Sequence, residues 1–191
     1  METNPPDVRT TGLPHVFWWY LAAAALIAAG VADFPLIAYH FAQASIVPSP
    51  WVPVFYAVAM GVSGTGSLIF GRLFDRIGIA VLIPLTLISA LFAPLVFLGG
   101  FWAALIGMAL WGVGMGVHES IVPAAVALMV PVQRRASAYG LFTAGYGVFW
   151  FLGSALIGIL YDVSLPAVIA FSLVIEIAAI PLFIQVRRQS R

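Results

Sequence analysis

Apolar positions in this chain fall into six long runs, at residues 16–41, 51–71, 79–98, 101–131, 138–161 and 164–186. Stretches such as "LAAAALIAAG" and "FWAALIGMAL" are apolar all round, with neither a polar helical face nor the period-2 alternation of barrel strands. About 20 residues of helix, rising about 1.5 Å each, cross a hydrocarbon layer about 30 Å thick. Each run is therefore long enough to span a membrane, and only a helix satisfies its own backbone there. The separators are short and turn-forming: "QASIVPSP", "RIG", "GG", "QRRAS" and "DVS". The pattern predicts an all-α membrane protein of six transmembrane helices over 16–186, with a polar N-terminal segment at 1–15 and a basic tail at 187–191. No soluble domain fits between the runs.

Composition agrees with the pattern. Hydrophobic residues make up 63% of the chain and charged residues 8%, against about 25% charged in a soluble domain. Cysteine is absent, so disulfides and thiolate metal sites are excluded. No paired-aspartate metal motif, phosphate-binding loop or cysteine-histidine cluster occurs, and no metal, cofactor or nucleic-acid partner is expected. The N-terminal segment lacks the basic, apolar, small-residue order of a signal peptide, so the first helix is expected to be retained.

The basic residues set an expected orientation. Lysine is absent, and the 8 basic residues are arginines: Arg9 before the first run, Arg72 and Arg76 after the second, Arg134 and Arg135 after the fourth, and Arg187, Arg188 and Arg191 after the sixth. With six crossings all of these lie on one side, which the positive-inside rule makes cytoplasmic. Both termini are then cytoplasmic, in what is expected to be a bacterial inner membrane. Trp18, Trp19, Trp51, Tyr56 and Trp102 open runs, as headgroup anchors do.

Three carboxylates fall at membrane depth, where an ionisable group is costly and by default marks a pathway or a partner. Asp33 lies about 24 Å along the first helix from Phe17, and Glu119 about 18 Å from the inner end of the fourth at Pro131. The two differ in depth by about 6 Å and are expected to share a cavity. Asp33 has a second reading, as a polar group that satisfies backbone loosened by Pro35. His118 points about 100° away from Glu119, so one of the two faces the cavity better than the other. Gly112 and Gly116, in register with Glu119, form a GxxxG pattern and are expected to pack against a neighbouring helix. Glu176, midway along the sixth helix, has no role that the sequence assigns.

"GRLFDRIG", residues 71–78, concentrates Arg72, Asp75 and Arg76 in a chain poor in charge. It is expected to form the cytoplasmic turn after the second helix, with Gly71 and Gly78 permitting the turn and Asp75 pairing with Arg76 or capping the next helix. Gly71, Asp75, Arg76 and Gly78 resemble the G-x-x-x-D-R-x-G cytoplasmic-loop motif of the major facilitator superfamily, although Ile79 and Ala80 stand where that family continues with basic residues. Residues 129–162 resemble its passage from the tenth into the eleventh helix. The resemblance implies the C-terminal half, helices 7 to 12, of such a transporter, with helices 1 and 4 of this chain lining the path. It thereby makes Asp33, His118 and Glu119 candidates for transport and proton coupling.

The function this implies is a half-sized, proton-coupled secondary transporter of a small molecule. It would work by alternating access as a parallel homodimer or with another six-helix half, in contact with membrane lipid and its substrate. The alternatives are a non-transporting assembly or regulatory subunit, or a fragment of a longer transporter. An enzyme is not expected. "GVSG" at 61–64 imitates an intramembrane serine protease motif, but a Ser63 nucleophile needs a histidine base on a neighbouring helix, and the final helix carries none.

Overall fold

The computed structural model of the chain describes residues 12–189. Arg9 and Arg191, and most of the N-terminal segment, lie outside the described residues. Among the described residues eight α-helices follow one another: α1 His15–Gly30, α2 Phe34–Gln43, α3 Val52–Ile77, α4 Leu82–Ala90, α5 Phe92–Leu98, α6 Phe101–Met129, α7 Arg135–Val163 and α8 Leu165–Gln189. Five helical stretches are long and apolar enough to cross a membrane: His15–Gln43, Ser49–Leu98, Phe101–Met129, Val132–Val163 and Leu165–Gln189.

Prolines explain where apolar runs divide. A proline has no N–H to offer the carbonyl four residues back, and its ring crowds that carbonyl. Pro35 frees Val31, and the first run, expected as one helix over 16–41, breaks at residues 31–33 into α1 and α2. Pro94 frees Ala90, where α4 gives way to α5. Pro84 frees Ala80, within the 3-10 turn Gly78–Val81 that precedes α4. Pro123 and Pro181 are accommodated inside α6 and α8.

"GRLFDRIG" departs from expectation. Residues 71–77 continue α3 to Ile77, and only Gly78 turns. Arg72, Leu73, Phe74 and Arg76 all tolerate helix, so nothing stops it before Gly78, whose φ of 62° suits a residue without Cβ. Asp75 and Arg76 are exposed and form no ion pair with each other, contrary to the expected pairing. Likewise Arg187 and Arg188 belong to the last turn of α8 rather than to a separate tail.

The stretch Ser49–Leu98 is 50 residues long, about 75 Å if it were one straight helix. It reverses instead. Ala59 and Ser63 of α3 meet Gly112 and Gly116 of α6, so these helices run parallel. Ser89 and Val96 meet Gly114 and Gly107 in the opposite sense, so α4–α5 runs antiparallel to α6 and to α3. The core forms where α1, lined by Ala23, Ala24, Ala28 and Gly30, lies between α7 and α8. Such small residues let helix backbones approach closely where dispersion drives association. At the other side of the bundle α3, α4 and α5 pack on α6.

Candidate functional site

The break between α1 and α2 interrupts a membrane-depth helix, so its backbone groups need partners other than water. Two neighbouring helices supply them, and a third meets the break through a side chain. Ser172 of α8 donates its hydroxyl to the carbonyl of Gly30 at 2.6 Å. Trp111 of α6 donates its indole N–H to the carbonyl of Ala32 at 2.9 Å. On the third side the Asp33 carboxylate accepts from α7, with Trp150 Nε1 at 2.7 Å from Oδ1 and Ser154 Oγ at 2.5 Å from Oδ2.

Asp33 holds the N-cap position of α2, yet its side chain makes no capping bond. It is turned instead towards α7, where Trp150 and Ser154 stand one helical turn apart on one face. The carboxylate is half-buried, with two neutral donors and no cation bonded to it among the described residues. Such a group is held in place yet open to exchange one partner for another. His40, one face further along α2, also meets α7, its Nδ1 lying 3.0 Å from the Tyr161 hydroxyl.

Trp150 links Asp33 to His118. The His118 ring stands edge-on to Trp150, with centroids 5.9 Å apart, and to Tyr146 at 6.0 Å. His118 Nδ1 and the Tyr146 hydroxyl are buried without hydrogen-bond partners. Phe34, directly after Asp33, packs its ring 4.4 Å from Tyr56 and 6.4 Å from Trp111. An acid, an imidazole and several aromatic rings thus converge at the break from α2, α3, α6 and α7.

Of the expected site residues, Asp33 and His118 come together through Trp150. Glu119 is exposed on α6 and makes no hydrogen bond to Asp33. Gly112 and Gly116 face α3: a Cβ on Gly112 would lie 2.2 Å from the Ala59 carbonyl oxygen, and one on Gly116 2.8 Å from that of Ser63. Gly71, Asp75, Arg76 and Gly78 stand at the far end of α3, where Ile69, Arg72, Leu73 and Arg76 line a shallow hollow of about 220 Å³. Ser63 is buried against α6, and no histidine is bonded to it among the described residues. Trp150, Ser154 and Trp111 escaped the sequence reading. Their one signal was position, since a tryptophan in the middle of an apolar run cannot anchor at a headgroup.

The architecture is that of an integral membrane bundle with a discontinuous helix at membrane depth, an arrangement that secondary transporters use for binding. The profile of the Major Facilitator Superfamily matches residues 21–191, and the chain belongs to this family, which is one of membrane transporters. It is 34% identical over 184 residues to an uncharacterized protein of Mycobacterium bovis. Uncharacterized proteins of two Mycobacterium tuberculosis strains, CDC 1551 / Oshkosh and H37Rv, match to the same extent. Each match covers 96% of this chain and 45% of the relative, so the chain spans about half the length of these relatives. No solved structure matches significantly.

Proposed function

We propose that the chain is one six-crossing half of a proton-coupled secondary transporter of a small molecule, with both termini on the cytoplasmic side of a bacterial inner membrane. The reversal at Gly78 supports counting the 50-residue apolar stretch as two passes, and six passes would put the arginines at one face. The observation that carries the functional reading is the Asp33 carboxylate at the break, bonded to Trp150 and Ser154. Ion- and substrate-binding groups gather at such interruptions because backbone and side chains there are free to take a ligand. While α2 lies against α7 the carboxylate has two donors. When the helices part, a proton or the cargo takes their place. His118, beside Trp150, is the second group of the path, and Glu119, exposed on the same helix, faces the opposing half.

The opposing half is a second parallel copy or another six-helix half. Gly61 and Gly64 on α3 have open space where a Cβ would project, and small residues favour close helix contact. The length of the relatives favours a different half within one longer protein, since this chain matches 45% of each. With no arginine or lysine between Arg76 and Arg134, aromatic walls and a carboxylate suit an apolar or cationic cargo.

The test is proton movement into vesicles containing the full chain and loaded with the pH-sensitive dye pyranine, challenged with a panel of small organic cations and apolar compounds. Cargo-dependent proton flux in the wild type that disappears in Asp33→Asn supports the reading. Flux unchanged in Asp33→Asn removes Asp33 from the coupling path.

A further inference from the structure

Asp33 is not the only acid at the break. Glu176 of α8 is wholly buried, at 0% exposure, on the opposite side of α1. Its side chain fills the space beside Gly30, where a Cβ would lie 2.9 Å from Glu176 Cγ. One oxygen, Oε2, lies 3.3 Å from Ser89 Oγ of α4, and the other, Oε1, is buried with no hydrogen-bond partner. One turn earlier on the same face of α8, Ser172 holds the Gly30 carbonyl. α8 therefore touches the break through Ser172 and Gly30, and touches α4 through Glu176.

The hydrogen count decides the state of this acid. Ser89 Oγ lies within hydrogen-bond distance of two acceptors, Glu176 Oε2 and the Thr86 carbonyl at 3.1 Å. A serine hydroxyl has one hydrogen. Were Glu176 a carboxylate, Ser89 would satisfy one of the two and leave the other facing a lone pair. As a carboxylic acid, Glu176 donates from Oε2 to Ser89 Oγ, Ser89 donates to Thr86, and both contacts are satisfied at once. Among the described residues, no charge is at hand to hold a carboxylate. α4, α5 and the turn Gly78–Val81 contain no titratable residue. On α1 the titratable groups are His15, at the far end, and Tyr20, bonded to the Val122 carbonyl. On α7, Tyr146 faces His118, Tyr161 faces His40, and Arg135, Tyr139 and Asp162 lie towards the ends. On α6, which reaches Ser89 at Gly114, His118 faces α7 and Glu119 is exposed. Arg187 and Arg188 stand more than ten residues further along α8, about 16 Å away. Ser172, one turn before Glu176, commits its hydrogen to the Gly30 carbonyl, so a buried charge would have Ser89 as its neutral donor, an arrangement that is strongly disfavoured.

We propose that Glu176 is a proton-binding site, occupied in the resting protein, whose proton joins α8 to α4 behind the broken span. It is separate from Asp33: two acids flank the break, one with two donors on the α7 side and one holding its own proton on the α8 side. Removing that proton places an unsolvated charge in the seam and loosens α4 from α8. The inference does not depend on the transport reading.

Infrared spectroscopy of the full chain in lipid vesicles tests it. At neutral pH the wild type and Asp33→Asn show a buried, protonated carboxyl C=O band that is absent in Glu176→Gln. A band missing from the wild type, or lost in Asp33→Asn instead, overturns the proposal. Thermal unfolding gives a second readout. Glu176→Gln, whose amide donates to Ser89 as the acid does, melts as the wild type does in acid, below about pH 4, and lacks the wild type's progressive loss of stability as the pH rises through neutrality. Thr86 Oγ1 is also buried without a partner, so a small cation is the competing occupant. Stabilisation of the wild type by sodium chloride over choline chloride, abolished in Glu176→Gln, would identify that cation and refute the proton.

Discussion

Replacing Gly112 with alanine puts a methyl carbon 2.2 Å from the carbonyl oxygen of Ala59, 2.9 Å from its carbonyl carbon and 3.0 Å from its Cα. All three are backbone atoms, so no side chain can rotate away, and α3 must withdraw from α6 by roughly 1 Å. Overpacking of this kind costs about 1–3 kcal/mol, and the rigid neighbour places Gly112→Ala at the upper end. Alanine returns about 1 kcal/mol through its better helix propensity, which leaves a net loss of about 2 kcal/mol. Gly64 provides the control on α3 itself, because a Cβ there meets nothing within 4 Å. Gly64→Ala keeps the propensity gain of up to about 1 kcal/mol. The two variants should therefore differ by about 3 kcal/mol, or about 6–12 °C in melting temperature for a chain of this size. Thermal unfolding in detergent micelles, followed by tryptophan fluorescence, reads the difference. Equal melting temperatures would mean that α3 and α6 do not touch at Gly112 and that the GxxxG stripe faces open space.

Trp111→Phe removes the donor to the Ala32 carbonyl at the break while keeping most of the ring, and should cost about 1–3 kcal/mol for a buried acceptor left unpaired, seen as a lower melting temperature. Tyr20→Phe deletes the hydroxyl bonded to the Val122 carbonyl at 2.8 Å and should cost about 0.5–1.5 kcal/mol, because that carbonyl lies within the α6 helix, so thermal unfolding should rank it above Trp111→Phe. Single-molecule photobleaching of chains labelled near the C-terminus, at low density in lipid, should count two subunits if a second copy serves as the opposing half. A count of one assigns that role to a different half.

The apolar runs were readable because bilayer thickness imposes their length and because no polar helical face interrupts them. Breaks were partly readable: Pro35 marked a weak point in the first run. What the break binds was not readable. Trp111, Trp150, Ser154 and Ser172 meet it from 79 to 142 positions away. In a helix apolar all round, a single sequence does not say which face meets which neighbour. Charge density is a poor guide to the turn at "GRLFDRIG": arginine is a good helix former, and α3 runs through the charged residues to Ile77. Asp33 stood out as a membrane-depth acid, whereas Glu176, equally visible, acquired its partner Ser89 only through the packing of α4 on α8.

If Asp33 couples transport as proposed, its cluster lies on a water-accessible path open in turn to each side of the membrane. The chain has no cysteine, so a single thiol can be placed at Gly147, near the middle of α7, where a Cβ has open space and the face is shared with Trp150 and Ser154. Val174→Cys, exposed on the outer face of α8, is the lipid-facing reference. Labelling by a membrane-impermeant maleimide, applied from each side of oriented vesicles, should reach Gly147→Cys from both sides and spare Val174→Cys. Equal, slow labelling of the two thiols would contradict the claim.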